Sequence, residues 1–387
     1  MIRRSSYVGN LVQTLTVGSF SSKYGAYFCC TFRGASSLQQ ESRSSTASDI
    51  DEYADVDWDN LGFGRVIAGY MYTMRCSRDG SFEQGQVTRH KTIELSPLAG
   101  VLNYGQGLLE GVKACRKANG SLLVFRPDQN AIRMRIGADR MCMPSPSIDQ
   151  FVDAVKQTVI ANKRWVPPPG KGSLYLRALL MGSGPVLGFA PAPAYTFLIY
   201  ASAVDNYFKS GLPLNLYVEE EYHRSTRGGT GGVKAIGNYA QGLKATGRAR
   251  SMGFTDILYI DSRENKYLGE GNCSNTFLVK GDVISTPATN GTILPGITRK
   301  SVIEIARDIG YKVEERAIPI DELMSADEVF CTGTAVLVAP VSSVTYQGKG
   351  IEYRTGVESV SHQIYSILSG IQTGAIEDVR RWTTEIH

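Results

Sequence analysis

The sequence predicts a mixed α and β (α+β) enzyme fold, from its composition and from the alternation of strand-like runs with helical stretches. Its 387 residues are 42% apolar and 20% charged, an ordinary globular composition with enough length for two domains. The runs "SLYLRALLMG" (173–182) and "AYTFLIYASAV" (194–204) are typical of buried strands, and "IDQFVDAVKQTVIANKRW" (148–165) has the period of an amphipathic helix.

The first 50 residues differ from the remainder of the chain and are predicted to be a transit peptide with a disordered segment. Residues 1–40 are rich in serine, contain no acid and carry Arg3, Arg4, Lys23 and Arg33. This composition is typical of an organelle transit peptide, and the alternative is a tail without an address. An apolar stripe from Val8 to Leu15 follows the first two arginines, which favours a mitochondrion over a plastid.

Charge and cysteine usage exclude several classes of function. The net charge of +4 equals the four cations of the first 40 residues, so residues 41–387 carry no net charge that would attract nucleic acid or an anionic membrane. No apolar run approaches the length of a membrane span. The seven cysteines and four histidines have no metal-ligand spacing, so no metal site is predicted.

The chain is predicted to form a small N-terminal domain (51–204), a linker "DNYFKSGLP" (205–213) and a larger C-terminal domain (214–387). In the last of these, "TDILYI" and "NTFLVKGDVISTP" are strand-like, and a helix follows Pro295-Gly296 and ends near Gly310. The free amides at the start of that helix suit an anion, although an ordinary capped surface helix is the commoner explanation of such a segment taken alone.

The motif "GGTGGVKAIGNY" (228–239) places one lysine after a glycine-rich turn. A phosphate-binding loop of the nucleotide hydrolases requires Ser or Thr after its lysine, and here Ala235 follows Lys234. A lysine amine has a pKa near ~10.4 and is inert at neutral pH unless burial or a neighbouring cation activates it. A Schiff base with pyridoxal phosphate would use such a lysine.

Pyridoxal phosphate requires an amine, an acid for its pyridine nitrogen, a donor for its phenolic oxygen and a phosphate site. Lys234 supplies the amine, and Tyr239 lies five residues later at the head of a helix that Asn238 is predicted to open. Glu270 in "YLGEGNCSNTF" is the candidate acid. The turns "PGIT" (295–298) and "GTA" (333–335) are candidates for the phosphate. Each feature taken alone has an ordinary structural explanation.

From about Tyr53 to the C-terminus, the chain resembles the plant-type branched-chain amino-acid aminotransferases, which are pyridoxal phosphate enzymes of fold type IV. The stretches that carry the resemblance include "LNYGQGLLEGVKACR", "VFRPDQNAIRMRIGADRM", "GGTGGVKAIGNYA", "EGNCSNTFLV", "ATNGTILPGITRKSV" and "DEVFCTGTAVLVAPV". The resemblance implies a barrel-like sheet in the larger domain, a cofactor between the two domains and a homodimer. It also implies reversible amino transfer between leucine, isoleucine or valine and 2-oxoglutarate.

The same resemblance implies a role for each site residue. Lys234 is the Schiff-base residue, and the cofactor contacts are Arg133, Tyr239, Glu270, Ile297, Thr298 and Thr334. The substrate contacts are Tyr104, Leu109, Tyr175, Arg177 and Ala335. In this assignment Arg133 holds the phosphate, and Arg177 belongs to a pocket that accepts both an apolar side chain and the carboxylate of glutamate.

Several positions depart from the pattern of these enzymes. Leu109 stands where a phenylalanine is usual, and Ala178, Gly237 and Gln241 also differ from the residues commonly found there. None of these changes removes a predicted catalytic group, but they affect the expected substrate profile and turnover. The alternatives are therefore a relative with another substrate, such as a methionine-related or D-amino-acid transaminase or an aminodeoxychorismate lyase, or one with weakened catalysis.

Overall fold

The structure is a computed structural model that describes residues 53–205 and 212–386. The predicted transit segment and most of the predicted linker lie outside the described residues. Residues 51–387 group into one compact unit. Among the described residues, no helix has the length and apolar character needed to cross a membrane.

The described chain contains strands in both halves. They are β1 (Val66–Ser77), β2 (Gln86–Arg89), β3 (Gly107–Arg116), β4 (Leu122–Phe125), β5 (Ser173–Gly182), β6 (Ala194–Val204), β7 (Leu214–Glu219), β8 (Asp256–Ile260), β9 (Leu268–Gly271), β10 (Asn275–Lys280), β11 (Val283–Pro287), β12 (Lys312–Arg316), β13 (Glu328–Gly333), β14 (Leu337–Tyr346), β15 (Lys349–Glu352) and β16 (Thr383–Ile386). The mixed α and β class is confirmed.

Helices pack against these strands. They are α1 (Gly100–Tyr104), α2 (Pro127–Arg140), α3 (Ile148–Ala161), α4 (Gly237–Ala240), α5 (Leu243–Ser251), α6 (Ile297–Asp308) and α7 (Val360–Thr373). The predicted helix over 148–165 ends at Ala161, and a 3-10 turn follows at Lys163–Trp165. At its start, Ser147 and Gln150 form a reciprocal capping box, which satisfies two amides that would otherwise lack partners.

Two sheets organise the molecule. The first is antiparallel throughout, in the order β16-β4-β3-β5-β6-β1-β2. The second has the order β12-β11-β10-β13-β14-β7-β8-β9, with β15 paired to β14. Strand β16 returns from the end of the chain to pair with β4. The division into two domains at residues 205–213 stays a prediction.

The side chains of β5 alternate between the hydrophobic core and the opposite face of the first sheet. Leu174, Leu176 and Leu180 lie in the core with helices α2 and α3. Tyr175 and Arg177 project from the opposite face, because successive side chains of a strand point to opposite sides. This face of β5, with the neighbouring strand β3, forms one wall of the candidate site.

Helices α6 and α7 cover one face of the second sheet. Phe277 of β10 and Phe330 of β13 stack in parallel at a ring distance of 5.0 Å, beneath Val302 of α6 and Leu368 of α7. Gly310 adopts a φ of +95°, a left-handed conformation that is favourable for glycine just after a helix. The predicted end of α6 near Gly310 is thus confirmed.

Candidate active site

One cavity of about 320 Å³ brings together the predicted site residues, with one exception. Its walls come from β3, β5, the lysine motif, β9, the start of α6 and the turn after β13. The predicted residues that line it are Leu109, Arg133, Tyr175, Arg177, Lys234, Tyr239, Glu270, Ile297, Thr298, Thr334 and Ala335. Tyr104 is the exception.

Two backbone hydrogen bonds hold Lys234 against the first sheet. The amide of Leu109 donates to the carbonyl of Lys234 at 3.1 Å, and the amide of Ile236 donates to the carbonyl of Gly107 at 3.1 Å. Strand β3 pairs with β4 only from Ala114 to Arg116, so the groups of its first residues on that side have no partner in β4. The residues around Lys234 therefore extend the first sheet locally, and the lysine backbone is fixed at the cavity wall.

The amine of Lys234 contacts the phenol of Tyr239. Nζ donates a hydrogen bond to Tyr239 Oη at 3.0 Å. Burial lowers the pKa of Lys234, but the surrounding phenols and Glu110 outweigh burial and the repulsion from Arg133, and the net direction is upward. The two residues, five apart in the sequence, therefore meet in the cavity, and the predicted contact of Tyr239 with the cofactor stays a prediction.

Two glycines of the lysine motif, Gly231 and Gly232, lie against a neighbouring loop. A Cβ on Gly231 would lie 2.9 Å from the carbonyl oxygen of Thr292, and one on Gly232 would lie 3.0 Å from Gly291. Gly228 has a φ of +80°. Close packing of two backbones explains Gly231 and Gly232, and the left-handed backbone conformation explains Gly228.

The sequence predicted that Asn238 opens a helix, and this prediction is wrong. It lies inside the four-residue helix α4, and α5 begins only at Leu243. Its Nδ2 donates to the carbonyls of Thr230 and Val233 at 2.8 and 2.9 Å, while its Oδ1 accepts from Thr230 Oγ1 at 2.7 Å. The buried amide thus ties the glycine turn to the residue before the lysine.

Glu270 is buried, with 3% of its surface exposed. Oε1 accepts from the Leu294 amide at 2.8 Å and pairs with Arg224 Nη1 at 2.6 Å, and Oε2 accepts from Asn275 Nδ2 at 2.8 Å. Burial raises the pKa of Glu270, and the opposing effects, of which Arg224 is the largest, do not cancel it. Sequence reasoning missed both Arg224 and Asn275.

Arg133 is anchored by a carboxylate that the sequence analysis also missed. Its Nε and Nη2 donate to the two oxygens of Glu110 at 2.8 and 2.6 Å, and Nη1 donates to the Pro295 carbonyl at 3.1 Å. Glu110 is fully buried, and Asn130 also donates to it at 2.8 Å. Asn130 and Arg133 are three residues apart and share one face of α2. This spacing was the signal in the sequence that could have indicated a shared partner.

The start of α6 and the turn after β13 form a polar end of the cavity. The helix has 12 residues, begins at Ile297 and has no side-chain cap, so its first amides have no partner from a capping side chain. Such amides bind anions. A Cβ on Gly296 would overlap Asn275 Oδ1, so only glycine lets the helix start this close to the partner of Glu270.

Another part of the cavity wall combines cationic, aromatic and apolar groups. The Arg177 guanidinium lies 5.5 Å from the Tyr175 ring centre, and its Nε is buried without a hydrogen-bond partner. Burial lowers the pKa of Arg177, but Tyr175, Tyr200 and Tyr239 together raise it by more. The net shift of the pKa is upward, so Arg177 remains a cation. Leu109 and Phe63 complete this wall.

Tyr104 lies outside the cavity of this chain. It is 40% exposed, its hydroxyl donates to the Leu187 carbonyl, and its ring meets the Phe189 ring edge-on at 5.9 Å. Its assignment to the substrate, and the homodimer implied by the resemblance, stay predictions.

The residues present fit pyridoxal phosphate. The cavity contains an amine beside a phenol, a buried carboxylate that faces it and a polar end with an arginine and free helix amides. These are the groups that the cofactor requires. Within residues 53–205 and 212–386, no group of three or more histidines, cysteines or acids could hold a metal.

The family model for amino-transferase class IV matches residues 107–344. The chain belongs to this family. Among its relatives, this class IV aminotransferase is 63% identical over 357 residues to "Branched-chain-amino-acid aminotransferase 2, chloroplastic" of Arabidopsis thaliana, with 92% of each chain covered. It is 60% identical over 393 residues to "Branched-chain amino acid aminotransferase 1, mitochondrial" of Humulus lupulus, with 100% of each chain covered.

A solved structure gives the same result for this class IV aminotransferase. The branched-chain amino acid aminotransferase from Escherichia coli superposes with a TM-score of 0.68. The two are 27% identical, over 82% of this chain and 98% of that one. The expected fold and family are thereby confirmed.

Replacing Gly296 with alanine tests the close packing at the start of α6. The new methyl group would overlap the Asn275 amide, so we expect Gly296→Ala to lower the free energy of unfolding by about 1 to 3 kcal/mol. Gly237→Ala is the matched control, because a Cβ there meets no atom within 4 Å. Thermal unfolding measures both variants. Equal stability of the two would contradict the packing argument.

Proposed function

We propose that the protein is a branched-chain amino-acid aminotransferase that uses pyridoxal phosphate to exchange amino groups between leucine, isoleucine or valine and 2-oxoglutarate. The observation that carries the proposal is the single cavity in which Lys234, Glu270, Arg133 and Arg177 converge. The identity of 60 to 63% to relatives named as branched-chain aminotransferases supports it. When bound, pyridoxal phosphate supplies an aldehyde carbon for the amine and a ring that withdraws electrons from the substrate's α carbon.

Lys234 has two tasks in this proposal. Its amine would hold the cofactor covalently, and the same Nζ, when free, would take the proton from the substrate's α carbon. The Tyr239 phenol, 3.0 Å from Nζ, fixes the direction of the amine. The backbone bonds from Leu109 and Ile236 keep this base at a constant position, since proton transfer requires hydrogen-bond distance.

Different residues of the cavity would hold different parts of the reactants. Arg133 and the first amides of α6 would hold the phosphate, and Glu270 would accept a hydrogen bond from the protonated ring nitrogen. Arg177 supplies a cation for a carboxylate, because its buried Nε lacks a partner and an unsatisfied buried donor is costly. Leu109 and Phe63 form an apolar surface for the branched side chain.

An amino-transfer assay combined with labelling of the lysine tests the proposed function. We expect the holoprotein to transfer amino groups from leucine, isoleucine and valine to 2-oxoglutarate. Borohydride reduction should fix the cofactor on the peptide that contains Lys234. Lys234→Ala should lose about 10²-fold or more in kcat, whereas Lys244→Ala, an exposed lysine in α5, should retain activity. A label on Lys113 or Lys244 would refute the assignment.

Leu109 is proposed to enlarge the side-chain pocket, because it stands where these enzymes usually have phenylalanine. It is 9% exposed and lines the cavity. One methylene of mismatch in such a pocket is worth about 1 to 3 kcal/mol, so the effect should be on preference. We expect Leu109→Phe to lower the ratio of kcat/KM for methionine to that for valine. An unchanged ratio would mean that neighbouring side chains close the gap.

We propose delivery to the mitochondrion. The basic, acid-free composition of residues 1–40 supports import, and the relatives above are named as mitochondrial in one case and chloroplastic in the other. A fluorescent reporter fused to residues 1–50 should reach mitochondria, and the protein without these residues should keep its activity. Substituting Arg3 and Arg4 with glutamine is the matched control and should reduce import. Accumulation of the intact fusion in plastids would overturn the proposal.

A further inference from the structure

Arg224 has no part in the proposed function, yet it contacts the carboxylate of Glu270 directly. Nη1 lies 2.6 Å from Oε1, and only 7% and 4% of the two side chains are exposed. The same nitrogen donates to the Gly231 carbonyl at 3.4 Å. A charge-assisted contact of this length between two buried groups is strong, because little water screens it.

The contacts of Glu270 fix its orientation. Oε1 is occupied by Arg224 and by the Leu294 amide, and Oε2 accepts from Asn275. A carboxylate has about four lone-pair positions, so one acceptor position remains for a donor in the cavity. Arg224 and Glu270 also line a second cavity of about 420 Å³. The ion pair is therefore part of the wall between the two cavities.

The position of Arg224 biases a proton that Glu270 shares with a donor. Coulomb repulsion falls with distance, and the Arg224 guanidinium lies 2.6 Å from the Glu270 carboxylate. The guanidinium therefore repels a proton on this carboxylate more strongly than a proton on a donor nitrogen that is farther away. A buried carboxylic acid without such a partner would take up the proton and become neutral.

We propose that Arg224 is a positioning residue that keeps Glu270 ionised and thereby keeps the proton on the ring nitrogen of the cofactor. The proposal rests on the role proposed above for Glu270 and extends it to a residue that does not touch the reactants. The other charged groups that face Glu270 are Lys234 from the lysine motif and Arg299 from α6. Both remain in place in the variants below.

Nitrogen-15 NMR of the holoprotein, reconstituted with pyridoxal phosphate labelled at the ring nitrogen, tests the proposal. The resonance distinguishes a protonated from a neutral pyridine across a pH series. We expect the natural protein to show the protonated form at neutral pH. In Arg224→Met the ratio of protonated to neutral nitrogen should fall about tenfold or more, which is one pKa unit. Arg224→Lys should restore part of the signal because it keeps the charge.

The matched control is Arg227→Met, since Arg227 is exposed, lies three residues along the same segment and lines the second cavity. Its resonance should equal that of the natural protein. An unchanged resonance in Arg224→Met would overturn the proposal, as would a similar change in Arg227→Met. If Arg224→Met does not fold, Arg224→Gln decides instead, because it also removes the charge: a ratio of protonated to neutral nitrogen that falls about tenfold supports the proposal, and a titration identical to that of the natural protein contradicts it.

Glu270→Gln separates this inference from the proposed function. A protonated nitrogen that persists in Glu270→Gln would refute the role of Glu270 itself. A signal that changes in Glu270→Gln but not in Arg224→Met would refute only the role of Arg224. In the double variant, Arg224→Met should cause little further change, because the two residues are expected to act through one contact. Additive changes would mean that Arg224 acts by another route.

Discussion

The candidate site depends on the contact between strand β3 and the residues around Lys234. Two backbone hydrogen bonds, from Leu109 to Lys234 and from Ile236 to Gly107, join β3 to the lysine motif. The same strand carries Glu110, which anchors Arg133, and Gly111, whose missing side chain leaves room for the Tyr175 hydroxyl. A displacement of β3 would therefore move the amine, the arginine and the pocket wall together.

Two buried ion pairs shape the electrostatics around that strand. Glu110 pairs with Arg133, and Glu270 pairs with Arg224. Burying such pairs contributes little net stability, because desolvation of both charges offsets their attraction. Their effect is geometric, since each carboxylate or guanidinium retains a defined direction. Because both carboxylates are paired with arginines, the charges of Lys234 and Arg177 are not balanced by an acid of these pairs. This positive charge favours anionic ligands in the cavity.

Local features of the sequence predicted a large part of this arrangement. The strands that carry Tyr175 and Arg177, and the helix after Pro295-Gly296, follow from periodicity and turn residues, and the structure confirms both. The glycine turn of the lysine motif does not by itself reveal what packs against it, because a glycine that gives room to a ligand and one that gives room to a loop have the same signature. Asn238 misled the sequence analysis for a similar reason, since an Asn before a short helical run caps helices in many proteins.

Residue types, short spacings and local periods lie along the chain, so the candidate chemical groups, several strands and helices and the family could be predicted without a structure. Which charges pair depends on the three-dimensional fold. Glu110 meets Arg133 across a strand and a helix, and Arg224, which follows β7, meets Glu270 of β9. Such contacts join residues that are far apart in the sequence. No local pattern specifies how close they lie in space, because that separation follows from how the sheets and helices pack.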